Sequence, residues 1–159
     1  MELILWRHAE AEVGTPDESR ALTGKGRRQA LKMAGWLDAN LPQSCRILVS
    51  PAKRTIQTAE ALGRKYRIHP DLALDADPAK ILAAANWPDS KESVLIVGHQ
   101  PALGQVAALL IAGTRQEWRI RKASVWWIAQ RERGESDDHN FLRAVMSPDL
   151  ILGNPSGNR

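Results

Sequence analysis

The sequence predicts an α/β protein, a three-layer α/β/α sandwich around a mostly parallel sheet with an antiparallel edge. Three observations lead there. First, the runs LILW (3–6), RILVS (46–50) and SVLIVGH (93–99) are short, apolar and without alternation, as in strands buried on both faces. Second, a stretch with helical apolar spacing or helix-opening residues follows each of them, the first after a loop. Third, the pattern changes near the end: ASVWWIAQ (123–130) and NFLRAVM (140–146) flank the charged RERGESDDH and read as a hairpin. Strands that alternate with helices build a parallel sheet covered on both faces, and the hairpin supplies the antiparallel edge.

The elements follow in order. Residues 9–24 read as a loop, with Gly14, Thr15, Pro16, Asp17 and Ser19. A helix is predicted from Gly26 to Leu41, where Ala30, Met33, Ala34, Leu37 and Leu41 recur on one face; Thr23 or Lys25 marks its start. In SPAKRTIQTAEALGRKY, Ser50 suits a cap and Pro51 the first helical position, with the helix running to about Tyr66. Residues 67–77 read as a short extended piece and a loop. DPAKILAAANW (77–87) reads as a helix capped by Asp77, and QPALGQVAALLIAG (100–113) as one that opens at Pro101 and closes at Gly113. In the hairpin, Trp126 and Trp127 point to opposite faces. Residues 1–152 are expected to form one domain and 153–159 a mobile tail.

The bulk figures narrow the function. With 43% hydrophobic and 25% charged residues, the 159-residue chain has the make-up of a globular protein, not of a disordered one. The net charge of +4 favours anionic partners. The single cysteine, Cys45, excludes an internal disulfide framework and suits a reducing compartment. No stretch approaches the roughly 20 apolar residues of a membrane span, and the start lacks the features of a signal peptide. A cytoplasmic protein with no membrane partner is expected.

The chemistry lies where the strands end. The first three stop at Arg7-His8, at Ser50-Pro51 with Arg54 one turn on, and at Gly98-His99. Sites in parallel sheets gather at the carboxyl ends of strands, so neighbouring strands would bring these groups to one rim. Guanidinium forks match phosphoryl oxygens, and helix N-termini near Arg54 and Pro101 add to the attraction. A histidine with one ring nitrogen held and the other free is a nucleophile. The candidate catalytic residues are therefore His8, as the attacking group, with Arg7, Arg54 and His99 to hold the equatorial oxygens.

These residues resemble the histidine phosphatase superfamily, with its phosphoglycerate-mutase-like fold. Arg7-His8-Ala9 stands where the family has Arg-His-Gly. Ser50-Pro51-Ala52-Lys53-Arg54-Thr55-Ile56-Gln57-Thr58 matches Ser-Pro-x-x-Arg-x-x-Gln-Thr, and Gly98-His99-Gln100-Pro101 matches Gly-His-x-Pro. The small size, the segment SRALTGKGRRQA with Arg20, Leu22, Thr23 and Gly26, and MSPDL near the end resemble the SixA-like branch, the protein phosphohistidine phosphatases. The resemblance covers roughly residues 1–150. It implies hydrolysis of phosphohistidine on a protein, such as a histidine-containing phosphotransfer domain, through a phosphorylated His8. It implies inorganic phosphate as product and no cofactor; none of the four histidines has a ligand-like spacing with another, so no metal is expected. Arg20 would line the phosphate pocket, or else pair with Asp17 or Glu18 in its loop.

Two departures stand out. Ala9 replaces the family glycine, at a cost of about 1 kcal/mol if that position needs a positive φ. The glutamate that larger relatives use as proton donor has no counterpart in PDLALDADPAK. Imidazole, with a pKa near ~6.5, leaves without much help once its other nitrogen is protonated, so phosphohistidine tolerates a weak acid or none. Glu10 is the nearest candidate for that acid, or else a solvated carboxylate or a brace for a histidine. The short segment between the second helix and the third strand implies an open, shallow pocket.

Two other functions fit the same residues: a phosphatase for small phosphomonoesters, and a phospho-ligand binding module without turnover. TRQEWRIRK (114–122) is basic, but no nucleic-acid motif accompanies it, so no nucleic-acid partner is expected; it could instead dock an acidic protein. His69 and His139 read as surface residues, and the sequence does not fix the oligomeric state.

Overall fold

The computed structural model describes residues 1–131 and 140–152. The hairpin loop, His139 and the predicted tail fall outside them. The elements are β1 (Glu2–Arg7), α1 (Gly24–Asn40), β2 (Arg46–Val49), α2 (Lys53–Glu60), β3 (Arg67–Ile68), α3 (Pro78–Ala84), β4 (Val94–Gly98), α4 (Ala102–Ala112), β5 (Val125–Gln130) and β6 (Asn140–Met146). They form one sheet in the order β3-β2-β4-β1-β5-β6. The first four strands in that order are parallel, and β5 and β6 add the antiparallel edge. The layered α/β fold is as the sequence predicts.

The sheet is central because its inner strands are apolar on both faces. Ile4, Trp6, Val49, Leu95 and Val97 join one core with Met33, Ala34 and Leu37 of α1 and Ala59 of α2. Leu3, Leu5, Leu48 and Ile96 join the other with Ile81 of α3 and Leu103, Val106 and Ala107 of α4. Burying a side chain such as Leu or Ile contributes about 1.5–3 kcal/mol, so this two-sided core fixes the strand order and register. Trp127 goes to the first core, edge-on to Trp36, and Trp126 to the second, beside Trp118.

Capping sets the helix starts. Thr23 accepts the Gly26 N–H, and Asp77 accepts the Lys80 N–H, at the two N-caps read from the sequence. Gly113 takes φ +75° and ends α4. The helix after β2 is shorter than predicted. It starts at Lys53 and stops at Glu60, before Gly63 with φ +70°. Ser50 is not its N-cap, because the helix opens two residues later, after Ala52; the Ser50 hydroxyl accepts the Ala52 N–H at 3.3 Å and also meets the neighbouring strand end.

Candidate active site

The sheet order puts β2, β4 and β1 side by side, and their carboxyl ends carry Ser50, His99 and His8. Arg7 lies opposite Gly98 in the β1–β4 register. The His8 and His99 ring centroids are 5.3 Å apart. Both residues are 6% exposed.

The backbone of His8 is held from both sides. Its N–H donates to Gly98 O at 3.1 Å, and its carbonyl accepts from Ala123 N at 3.0 Å. Ala123 takes φ 61° to make that contact, an uncommon conformation for a residue with a Cβ. The ring is oriented too. Nδ1 lies 2.7 Å from Ala9 O. A carbonyl only accepts, so Nδ1 carries the proton and Nε2 keeps its lone pair. The Arg54 Nε–H points to that nitrogen at 3.3 Å. Burial above all, then His99, Arg54 and Arg7, pull the His8 pKa down to about 3, against the Ala9 bond that raises it. His8 is therefore neutral near pH 7.

His99 is arranged differently. Its Nε2 lies 2.7 Å from Ser50 Oγ, and its buried Nδ1 has no hydrogen-bond partner among the described residues. Burial, followed by Arg54, lowers its pKa to about 4. Among the described residues the buried Nε of Arg7 also lacks a partner, while Nη1 donates to Ile120 O at 2.9 Å. The Arg7 guanidinium is held below its usual value by burial and by Arg119 and Arg54. Unpaired buried polar atoms are uncommon, and two of those among the described residues belong to Arg7 and His99, at the ends of the paired strands β1 and β4.

Arg54 sits in the first turn of α2, as expected, with a side chain 5% exposed. Nη1 donates to Asp17 O at 2.7 Å and Nη2 to Asp17 Oδ2 at 3.0 Å. The other oxygen of that carboxylate, Oδ1, accepts from Arg20 Nη1 at 2.7 Å. Arg20 thus forms the pair with Asp17 that the sequence offers as one of its two roles. Hydrogen bonds from Arg20, then Arg54, hold the Asp17 carboxyl below its usual pKa. Beside the site the turn Asp17–Ser19, in the segment before α1, packs on α2.

Glu10 is half-buried, and its Oε2 accepts from the Thr23 hydroxyl at 2.8 Å. That bond braces the loop after His8 against α1. Gly26 completes the joint, since a Cβ there would lie 2.0 Å from the Glu10 carbonyl oxygen. Ala9 pays no positive-φ penalty: among the described residues only Asn86 and Ala123 adopt positive φ without being glycine. Ala9 N donates to Thr58 Oγ1 at 3.1 Å, and Gln57 Oε1 accepts from Leu22 N at 2.7 Å. The Gln-Thr of the Ser-Pro-x-x-Arg-x-x-Gln-Thr pattern thus fixes the loops on either side of the pocket. Asp17 and Ser50 were missed as site residues by sequence reasoning. Asp17 could have been found only as a carboxylate close to Arg20, and Ser50 only as a polar residue at a strand end.

Paired imidazoles and guanidiniums at the ends of parallel strands define an α/β enzyme that handles an oxyanion. The comparisons make this specific. The pattern described as Histidine phosphatase superfamily (branch 1) matches residues 3–76. The phosphohistidine phosphatase SixA of Escherichia coli (strain K12) is 30% identical over 122 residues, or 71% of this chain and 76% of that protein. A structure of the protein histidine phosphatase SixA complexed with tungstate superposes with a TM-score of 0.75 at 25% identity, covering 96% of this chain and 100% of that one. A phosphoserine phosphatase mutant of Entamoeba histolytica, in complex with phosphoserine, shares the fold at TM-score 0.70 and 16% identity, over 95% of this chain and 99% of that one. The chain belongs to the histidine phosphatase superfamily, in its SixA-like branch, and is a phosphatase. Among the described residues no helix is long and apolar enough to cross a membrane.

Proposed function

We propose that the protein is a metal-independent phosphohistidine phosphatase that acts on a phosphorylated histidine of a protein, such as a histidine-containing phosphotransfer domain. The observation that carries this reading is the state of His8. Its Nδ1–H is held by Ala9 O, and its ring is kept neutral by burial. Nε2 is therefore an aimed lone pair, next to the Arg54 guanidinium.

In the first step His8 Nε2 attacks phosphorus. The new Nε2–P bond forms as the P–N bond to the substrate breaks, and that pair of electrons returns to the leaving imidazole. When the substrate ring is protonated on its other nitrogen, it leaves as neutral histidine and no further proton is needed. Water then attacks the phosphoryl group on His8. The phosphate carries away the water oxygen and both hydrogens as dihydrogen phosphate, and His8 returns to its neutral form. Arg7, Arg54 and His99 hold the equatorial oxygens, each donor lowering the barrier by roughly 3 kcal/mol. His99 donates through Nδ1–H when the Ser50 hydroxyl donates to Nε2, and Arg7 Nε gains the partner it lacks. The phosphoryl group displaces the Asp17 carboxylate from Arg54. Arg20 acts by holding Asp17, and Glu10 by bracing the loop.

The name of the SixA relative supports this substrate. A second reading, cleavage of small phosphomonoesters, is favoured by the fold neighbour that holds phosphoserine. The test compares a phosphorylated phosphotransfer domain with phosphoserine and a sugar phosphate, with and without EDTA. Turnover of the phosphoprotein well above both esters, unchanged by EDTA, is expected. Faster ester cleavage would favour the second reading, and loss with EDTA would remove metal independence.

A further inference from the structure

A cleft of about 570 Å³ shares Arg7 with the strand-end site. Arg7 and Glu10, on either side of His8 and Ala9, belong to its wall. The rest of the wall is basic. Lys25, Arg28 and Lys32 lie three and four residues apart along one face of α1, and Arg119, Arg121 and Lys122 face them from the segment before β5. All six are exposed, and none forms an ion pair with the described residues. Among the described residues only Glu10 and Asp149 bring negative charge to the wall; Glu10 is engaged by Thr23, and Asp149 faces Arg121, which leaves the other five cations without a carboxylate of their own.

This arrangement is unfavourable for the chain alone. Like charges crowd one concavity, and Lys25 and Arg28 stand at the positive end of α1, whose first turn has no acidic residue. An anionic partner removes both costs. Nucleic acid is the poorer fit, because the nearby aromatic is not available for base stacking. Trp118 packs on Trp126 with ring centroids 6.1 Å apart and donates its indole N–H to Gln116 at 2.9 Å.

We infer that this cleft docks an acidic surface of the phosphoprotein substrate, next to its phosphohistidine. The inference rests on the phosphohistidine-protein reading above. It accounts for basic residues in two distant segments that the chemistry at His8 does not use. The cleft concentrates the substrate over the site, and Arg7, shared by both, links docking to the phosphoryl pocket.

The test uses two synthetic peptides of equal length with one phosphohistidine each, one flanked by Asp and Glu and the other by Ser and Gln. Free phosphohistidine serves as the third probe. At low salt, kcat/KM for the acidic peptide is expected to exceed that for the neutral one by about 10-fold or more, and the ratio to shrink as salt rises. In the Arg28→Glu/Lys122→Glu variant the ratio should fall to one or below, with free phosphohistidine hydrolysed at the wild-type rate. The milder Arg28→Gln/Lys122→Gln variant should give an intermediate ratio and covers a folding failure of the first. Equal rates on both peptides in the wild type, or a preference that survives charge reversal, would overturn docking alone. A matching loss on free phosphohistidine would also overturn it, because the cations would then act on the reacting site. Tighter binding of an oligothymidylate than of the unphosphorylated acidic peptide would transfer the cleft to nucleic acid. Failure of the wild type on all three phosphohistidine probes would instead overturn the substrate reading itself.

Discussion

The strand-end site and the basic cleft share Arg7 but treat charge in opposite ways. At the strand ends, His8, His99 and Arg54 are buried, each fixed by at least one named partner, and both imidazoles are kept neutral. In the cleft, cations on α1 and before β5 stand in water without ion pairs to the described residues. Burial makes each electrostatic contact strong and geometrically exact, which suits bond making. Exposure makes each contact weak and screened but lets many add up over distance, which suits capture. Changes at the first region should therefore cost rate, and changes at the second should move substrate affinity and salt dependence.

The largest effect is expected at His8. His8→Ala should lower phosphatase turnover by more than about 10⁴-fold, because the covalent route is gone; activity above a few per cent of wild type in a steady-state assay would remove His8 from the nucleophile role. Arg54→Ala should lower kcat by about 100-fold or more, as one buried charge-assisted contact to the transferring group is lost. An effect confined to KM would move Arg54 from the strand-end class to the capture class.

The neutral histidines also set a pH dependence. Their folded pKa values, about 3 for His8 and about 4 for His99, lie below the value near ~6.5 expected in the unfolded chain. Between those limits the unfolded chain binds more protons, so stability falls as pH drops from about 6.5 toward 4. The limiting slope is about 1.4 kcal/mol per pH unit for each histidine. Urea midpoints measured at pH 7 and pH 5 should differ less in a His8→Asn/His99→Asn variant than in the wild type; an equal difference would mean that these rings are not held neutral.

The smallest effect is expected at Asp17, whose carboxylate lies between Arg20 and Arg54. It is half exposed, so the contact is worth little, and Asp17→Ala should tighten inhibition by inorganic phosphate by only about 3-fold. Weaker inhibition would mean that Asp17 aligns Arg54 for phosphate instead of competing with it.

Much of this was legible from residues close in sequence. The apolar runs mark the strands, and three signatures, each at the end of its own run, mark His8, Arg54 and His99. What escaped depends on contacts between distant segments. Ser50 looked like a helix cap because Pro51 follows it, yet its hydroxyl meets His99 on the next strand. Asp17 looked like a loop residue because nothing local says that its turn folds onto α2. Half of the cleft's cations are visible as TRQEWRIRK, but nothing local sets Lys25, Arg28 and Lys32 apart from other charged helix residues. Only the packed chain brings the two sets to one wall.

The central claim is that phosphorus passes through Nε2 of His8. The direct measurement is rapid quenching during turnover of a phosphorylated phosphotransfer domain, followed by mapping of the labelled enzyme peptides under alkaline conditions that preserve phosphohistidine. An acid-labile phosphoryl group is expected on the peptide that contains His8, formed and lost at rates compatible with turnover. A label on His99 instead, or rapid turnover with no phosphoenzyme at any time, would contradict it.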